Sequence, residues 1–197
     1  VGGHWKEVVV NDPLMRPITA KYLLLPDATA VIEVAQACGL HLLTSDERNP
    51  VIASSYGVGE LIADALEEGA KRIVIGLGGS ATNDAGLGML MALGITFHDI
   101  NGTLLTHGGG ALASLHRLDN INLHAKVLDT VFEVACDVTN PLCGTLGASR
   151  IFGPQKGANP QQVNDLDQAL NHFVTICEQQ GYQNYQEVAG AGAAGGL

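Results

Sequence analysis

Between residues 76 and 94 the chain reads GLGGSATNDAGLGMLMALG, and seven consecutive small or polar residues, Gly78 to Asp84, stand between two strongly apolar runs. Gly76, Gly78 and Gly79 permit left-handed or close-approach backbone, while Ser80, Thr82 and Asn83 add hydroxyl and amide donors. Followed by a helix whose first amides are unpaired, such a segment can cradle an anion. Asn83 or Asp84 could do no more than cap that helix, but a cap does not need seven such residues. A second cluster lies in ACDVTNPLCGTLGASRIFGPQKGA, residues 135–158. There Asp137 is the first charge after an apolar run, Thr139 and Asn140 follow, and Ser149, Arg150 and Lys156 lie downstream among glycines. An ordinary turn-rich connection, with Asp137 in an Asx turn and Lys156 solvated, is the plain alternative. If the two segments lie side by side at a sheet edge, Asp84 and Asp137 face one pocket and Lys156 can meet a phosphate.

Two nucleotide motifs can be tested on the first segment. The Walker loop requires a lysine followed by Ser or Thr at the helix start, and no lysine occurs between Lys71 and Lys126. The dinucleotide fingerprint is nearer: Gly76, Gly78 and Ala81 satisfy G-x-G-x-x-A, and Asp99 lies about 20 residues on. Asn83 and Asp84, however, would put a carboxylate close to a bound pyrophosphate. The histidines show neither H-x₃-H nor HExxH spacing; His98 beside Asp99 and His107 beside three glycines are the two with some metal-binding character.

The elements that must position these residues follow from periodicity. Residues 5–25 read as a β-hairpin with Pro13 and Pro17 punctuating its turn. ATAVIEVAQACGL, residues 28–40, divides between strand and short helix, its β-branched start favouring one and its helical spacing the other. Val58, Leu61, Ile62, Ala65 and Leu66 give residues 55–69 an amphipathic helix ended by Gly69. KRIVIGLGG reads as a strand buried on both faces, Leu87 to Leu93 as a buried helix, and VFEVACDV as another buried strand ending at Asp137. GGGALASL, residues 108–115, reads as a glycine turn entering a helix. Asn159 as N-cap and Pro160 at the first position open a long helix that Gly181 closes. Helix, strand, loop and helix in this order predict an α/β fold, a mixed or mostly parallel sheet flanked by helices, in one domain over residues 1–197.

A net charge of −10 repels nucleic-acid phosphates and anionic membranes, and no local basic patch reverses it. Four cysteines without a CxxC pair suggest neither a zinc site nor a disulfide framework, and no apolar run reaches the 18 to 20 or so residues of a membrane span. A soluble, cytoplasmic chain that binds neither nucleic acid nor membrane is the expectation. The chain begins at Val1 without methionine and ends in GAGAAGGL, so both ends read as cuts in something longer.

Four blocks, IGLGGSATNDAGLGMLMALG, ACDVTNPLCGTLGAS, FGPQKGA and GAGAAGGL, occur in one order across nearly the whole chain and resemble the type I glycerate kinases. Ala85 and Leu87 depart from the more usual Gly and Ala of that pattern. The resemblance implies transfer of the ATP γ-phosphoryl group to D-glycerate, mostly giving 2-phosphoglycerate, with Mg²⁺. It implies a central α/β domain inserted in a flavodoxin-like domain, whose PDSFKG-like and GEGR…D segments are not in this sequence. Asp84 and Asp137 are then the candidate proton acceptor and Mg²⁺ ligand, in undetermined order. Gly78, Gly79, Ser80, Thr82, Asn83 and Asn140 would bind substrate or phosphate, with Lys156, and less strongly Arg150, as counter-charge. Alone, the chain would turn over ATP slowly, and apolar surface on its 11–25 hairpin would favour a homodimer. A sugar-acid binding domain without phosphoryl transfer, and a dinucleotide oxidoreductase built on the 76–81 glycines, are the alternatives.

Overall fold

The computed structural model describes residues 2–197. Strands β1 (His4–Asn11) and β2 (Pro17–Leu24) form the expected antiparallel hairpin, paired from His4 opposite Leu24 to Asn11 opposite Pro17. Asp12 closes its turn: Oδ1 accepts from the amides of Leu14 and Arg16, and Oδ2 takes the Arg16 guanidinium. The ambiguous stretch that follows divides into strand β3 (Thr29–Glu33) and helix α1 (Ala35–Cys38). β3 runs antiparallel to β2 and parallel to β4 (Arg72–Gly76).

Helix α2 (Tyr56–Glu67) turns Val58, Leu61, Ile62, Ala65 and Leu66 inward, where they join Ile32, Ile73 and Ile75 of the sheet in one core. Helix α3 (Leu87–Ala92) crosses α2 at a distance that only glycine allows. A Cβ on Gly59 would come within 2.3 Å of the Met89 carbonyl, and one on Gly88 within 2.3 Å of the Ser54 hydroxyl. Beyond α3, strands β5 (Thr96–His98) and β6 (Arg117–Asp119) pair as a small antiparallel ribbon. The glycine turn at 108 enters a 3₁₀ segment, Gly109–Ser114.

Strand β7 (Val131–Ala135) pairs in parallel with β4 and completes a mixed sheet of order β1-β2-β3-β4-β7. Here one expectation is corrected. VFEVACDV reads as a buried strand, yet all five residues of β7 are exposed, with Val131 57% and Val134 55% accessible. β7 is the sheet edge, and no described element covers it; apolar content records what a strand is fit to pack against, not whether that neighbour is present.

Helices α4 (Ala148–Phe152) and α5 (Pro160–Gln179) close the chain's second half. At the start of α5 the Asn159 side chain accepts from the Gln162 amide while the Gln162 side chain accepts from the Asn159 amide, a reciprocal capping box. Leu170, Val174 and Ile176 of this helix pack with Leu87, Phe97 and Leu112 in a second core. The final glycine-alanine segment threads back against the 82–86 backbone, the Gly195 carbonyl accepting from the Ala85 amide. Among the described residues, no helix is long and apolar enough to cross a membrane.

Candidate functional site

β4 stops at Gly76, and the ten residues from Leu77 to Gly86 run as a loop before α3 begins. Backbone bonds fix this loop to the end of α1: the Gly79 carbonyl accepts from Leu40, and the Ala81 amide donates to Cys38. Gly79 adopts φ +71°, a left-handed turn that a side chain would resist, and a Cβ on Gly78 would meet nothing within 4 Å. The loop therefore presents an open backbone face at the carboxyl edge of the sheet, where open α/β sheets hold their ligands.

Lys156 reaches this loop from below. It ends a 3₁₀ turn, Pro154–Lys156, held by Gly157 at φ +97°, where a Cβ would lie 2.2 Å from the Arg48 carbonyl. Its side chain is only 2% exposed, and Nζ donates to the Thr82 carbonyl at 2.6 Å and to the Ser80 hydroxyl at 3.1 Å. Burial pulls its pKa down to about 8, against the opposing influence of Cys38 and Asp84. The Cys38 thiol, itself enclosed, is pushed up to about 12 by burial and stays neutral.

These groups border a cavity of about 220 Å³ whose walls include Gly78, Gly79, Ser80, Asp137, Gln155 and Lys156. Leu77, Phe152, Ala193 and Ala194 supply its apolar parts. Lys156 is the one cation and Asp137 the one carboxylate of the lining. A larger hollow of about 620 Å³ lies across the final glycine-alanine segment, but its lining carries no charged side chain.

The expected site residues fall into three groups. Gly78, Gly79, Ser80, Asp137 and Lys156 meet in the cavity. Thr82, Asn83 and Asp84 are fully buried behind it, so Asp84 and Asp137 do not face one pocket as the spacing suggested. Asp84 Oδ2 accepts from the Ser55 amide at 3.0 Å, the Ser55 hydroxyl at 2.9 Å and the Gly88 amide at 3.3 Å, while Oδ1 has no partner. Burial holds its carboxyl above the usual carboxylate range. Asp84 thus ties the start of α2 to the start of α3, and Asn83 Nδ2 donates to the buried Ser149 hydroxyl. Asn140 and Arg150 lie outside the cavity lining. Asn140 Nδ2 donates to the Leu146 carbonyl, and Arg150 sits 3.8 Å from Asp167 beside a separate shallow hollow.

Sequence reading missed Ser55, Gln155 and the cavity-lining Ala193 and Ala194. The glycine density of GAGAAGGL was the available signal for the last two: Gly195 has φ +80°, and its Cβ would stand 2.3 Å from the Thr82 carbonyl. The dinucleotide alternative also loses its geometry. A helix should open at the second fingerprint glycine, whereas α3 starts at Leu87, and Asp99 caps its own turn by accepting from the Asn101 and Thr103 amides. Among the described residues no three His, Cys, Asp or Glu side chains gather as a metal cluster, so neither His98 nor His107 belongs to one.

Fold and site together define an α/β domain with a small cavity at its strand ends, lined by the 77–80 loop, Asp137 and the buried Lys156. The profile described as the glycerate kinase family matches residues 1–197, and the chain belongs to that family. It is 48% identical over 192 residues to a glycerate kinase of Bacillus subtilis, covering 97% of this chain and 50% of that one. A glycerate 2-kinase of Escherichia coli is 47% identical over 189 residues, 95% of this chain and 50% of its own. A crystal structure described as a glycerate kinase 2 from Salmonella typhimurium LT2 superposes with a TM-score of 0.96 at 43% identity, over 99% of this chain and 52% of that one. The chain spans about half the length of these relatives.

Proposed function

We propose that this chain forms part of an ATP-dependent glycerate kinase that phosphorylates the 2-hydroxyl of D-glycerate, giving 2-phosphoglycerate, with 3-phosphoglycerate as the less favoured alternative. Membership of the family and the name of the Escherichia coli relative support this reading. The observation that carries it is the cavity at the strand ends, whose lining brings Asp137 and the buried Lys156 together with Gly78, Gly79 and Ser80.

In the reaction the substrate hydroxyl oxygen attacks the γ-phosphorus, the bond from that phosphorus to the β,γ-bridging oxygen breaks, and ADP leaves. The hydroxyl proton passes to the Asp137 carboxylate. The amides of Gly78, Gly79 and Ser80, with Lys156, hold negative charge in place before the reaction begins, which is where fixed dipoles are most effective. Asp84 keeps the loop in register, so its effect on rate acts through loop geometry. The donor set suits Mg²⁺ carried largely on phosphate oxygens, with Asp137 as the single protein carboxylate within reach. Such an ion supplies neutralisation of the γ-phosphate charge. A cytoplasmic setting accompanies this proposal, supported by four cysteines present as free thiols.

The test is D-glycerate-dependent ADP release by the full-length protein, with products separated by phosphorus NMR. Asp137→Asn is expected to lower kcat by about 10²- to 10⁴-fold, the usual worth of a positioned base. Unchanged kcat in that variant would remove Asp137 from the chemistry. Saturable glycerate binding with no ADP release by the unaltered protein would instead favour a sugar-acid binding domain.

A further inference from the structure

We infer that the open edge of β7 is a pairing surface, and that its occupant is a strand, parallel to β7, from the part of the full-length protein that lies outside these 197 residues. The apolar rows of the sheet are the first observation. Ala30, Ile73 and Phe132 lie side by side across β3, β4 and β7, and so do Ile32, Ile75 and Val134. The first two members of each row are buried in the core that α2 covers, whereas Phe132 is 37% and Val134 55% exposed. Among the described residues nothing covers the row ends, although parallel strands belong to sheets covered on both faces. The backbone is the second observation. The Val131 amide donates to the Lys71 carbonyl and the Ala135 carbonyl accepts from Leu77, so by the alternation of a parallel ladder the amides of Phe132 and Val134 face the free edge.

A strand that ends a sheet is ordinarily shielded from further pairing by lysine, proline, a bulge or a covering segment. β1, the opposite edge, carries Lys6, which pairs with Glu68. β7 reads VFEVA, pairs in step with β4 over all five residues, and has as its one charge Glu133, taken by Arg72. None of the usual shields is present. The relatives point to the occupant, because about half of each lies outside the aligned part and offers chain enough for further strands. A second copy fits less well. In the antiparallel two-fold pairing of β7 with itself that uses the whole strand, Glu133 opposes Glu133 of the copy, and each copy carries a net charge of −10. Parallel addition instead continues the β3-β4-β7 order and sets the carboxyl end of the new strand beside Ala135, Cys136 and Asp137, where the cavity lies. The loop leaving that strand then joins the cavity wall.

The test is amide hydrogen exchange in the full-length protein, read at Phe132 and Val134. With a strand paired there, both amides should exchange at least about a hundredfold more slowly than in an unstructured peptide, and equally so at low and high protein concentration. Fast exchange at both would leave the edge open and overturn the inference. Slowing that appears only at high concentration would give the edge to a second copy and overturn it as well. Val134→Pro in the full-length protein is the second reading, because it removes the outward-facing donor and leaves the bonds to β4 in place. An open edge tolerates such a proline, whereas a paired one loses a ladder bond, so the thermal midpoint should fall. An unchanged midpoint would count against a strand at this edge. Neither measurement depends on ADP release, so the phosphoryl-transfer proposal stands or falls by its own assay.

Discussion

At the scale of single residues, burial sorts the two candidate carboxylates. Asp84 and Asp137 each follow an apolar strand and look alike in sequence, but Asp84 is fully enclosed and accepts three hydrogen bonds while Asp137 lines the cavity. Asp84→Ala strands the Ser55 amide, the Ser55 hydroxyl and the Gly88 amide, so stability should fall by about 2–3 kcal/mol in urea unfolding. No loss would mean those donors find other partners. Gly195→Ala should cost at least as much and disturb the loop, because its Cβ has only 2.3 Å to the Thr82 carbonyl and its φ is +80°. Lys156 sets a pH dependence of stability. Its folded pKa of about 8 lies below the ordinary 10.5, so between those values the unfolded chain binds the extra proton and this residue's contribution to stability rises with pH. Cys38, raised to about 12, acts in the opposite sense, so the clean measurement is the difference between the unaltered chain and Lys156→Met at pH 7.5 and 9.5. A difference that does not change between the two would refute the lowered pKa.

Elements were legible wherever one local rule dominated. The hairpin showed its proline turn, α2 its apolar stripe, and α5 its asparagine cap and proline at the first position, all found where the pattern placed them. Asn159→Ala should lower stability by about 1 kcal/mol, read as a shift in the thermal midpoint, and an unchanged midpoint would show the cap to be dispensable. The α2–α3 crossing had no comparable signature, because Gly59 and Gly88 read as weaknesses in their helices until the two backbones are seen to touch. Gly59→Ala improves helix propensity yet should destabilise, since the new methyl meets the Met89 carbonyl at 2.3 Å. A stabilised Gly59→Ala variant would mean the crossing can open at little cost. β7 shows the opposite failure, an apolar pattern read as burial on a strand left at the sheet edge.

For the molecule as a whole, a net charge of −10 surrounds a cavity holding one cation. Lys156 alone cannot neutralise a bound triphosphate, so this chain by itself is expected to release ADP far more slowly than the roughly 1 to 100 per second usual for kinases. A rate within that range would show that the nucleotide's charge is met within these 197 residues.

The family blocks, the α/β order and the helix caps were determined by the sequence alone, because each depends on residues close together in the chain. The cavity was decided only by tertiary structure. Lys156 meets the Thr82 carbonyl 74 positions away, and Asp84 meets Ser55 across 29. Contacts at such separations are set by how β4, β7 and the final glycine-alanine segment pack, and desolvation, which makes one aspartate structural and leaves the other open to ligand, exists only once that packing has formed.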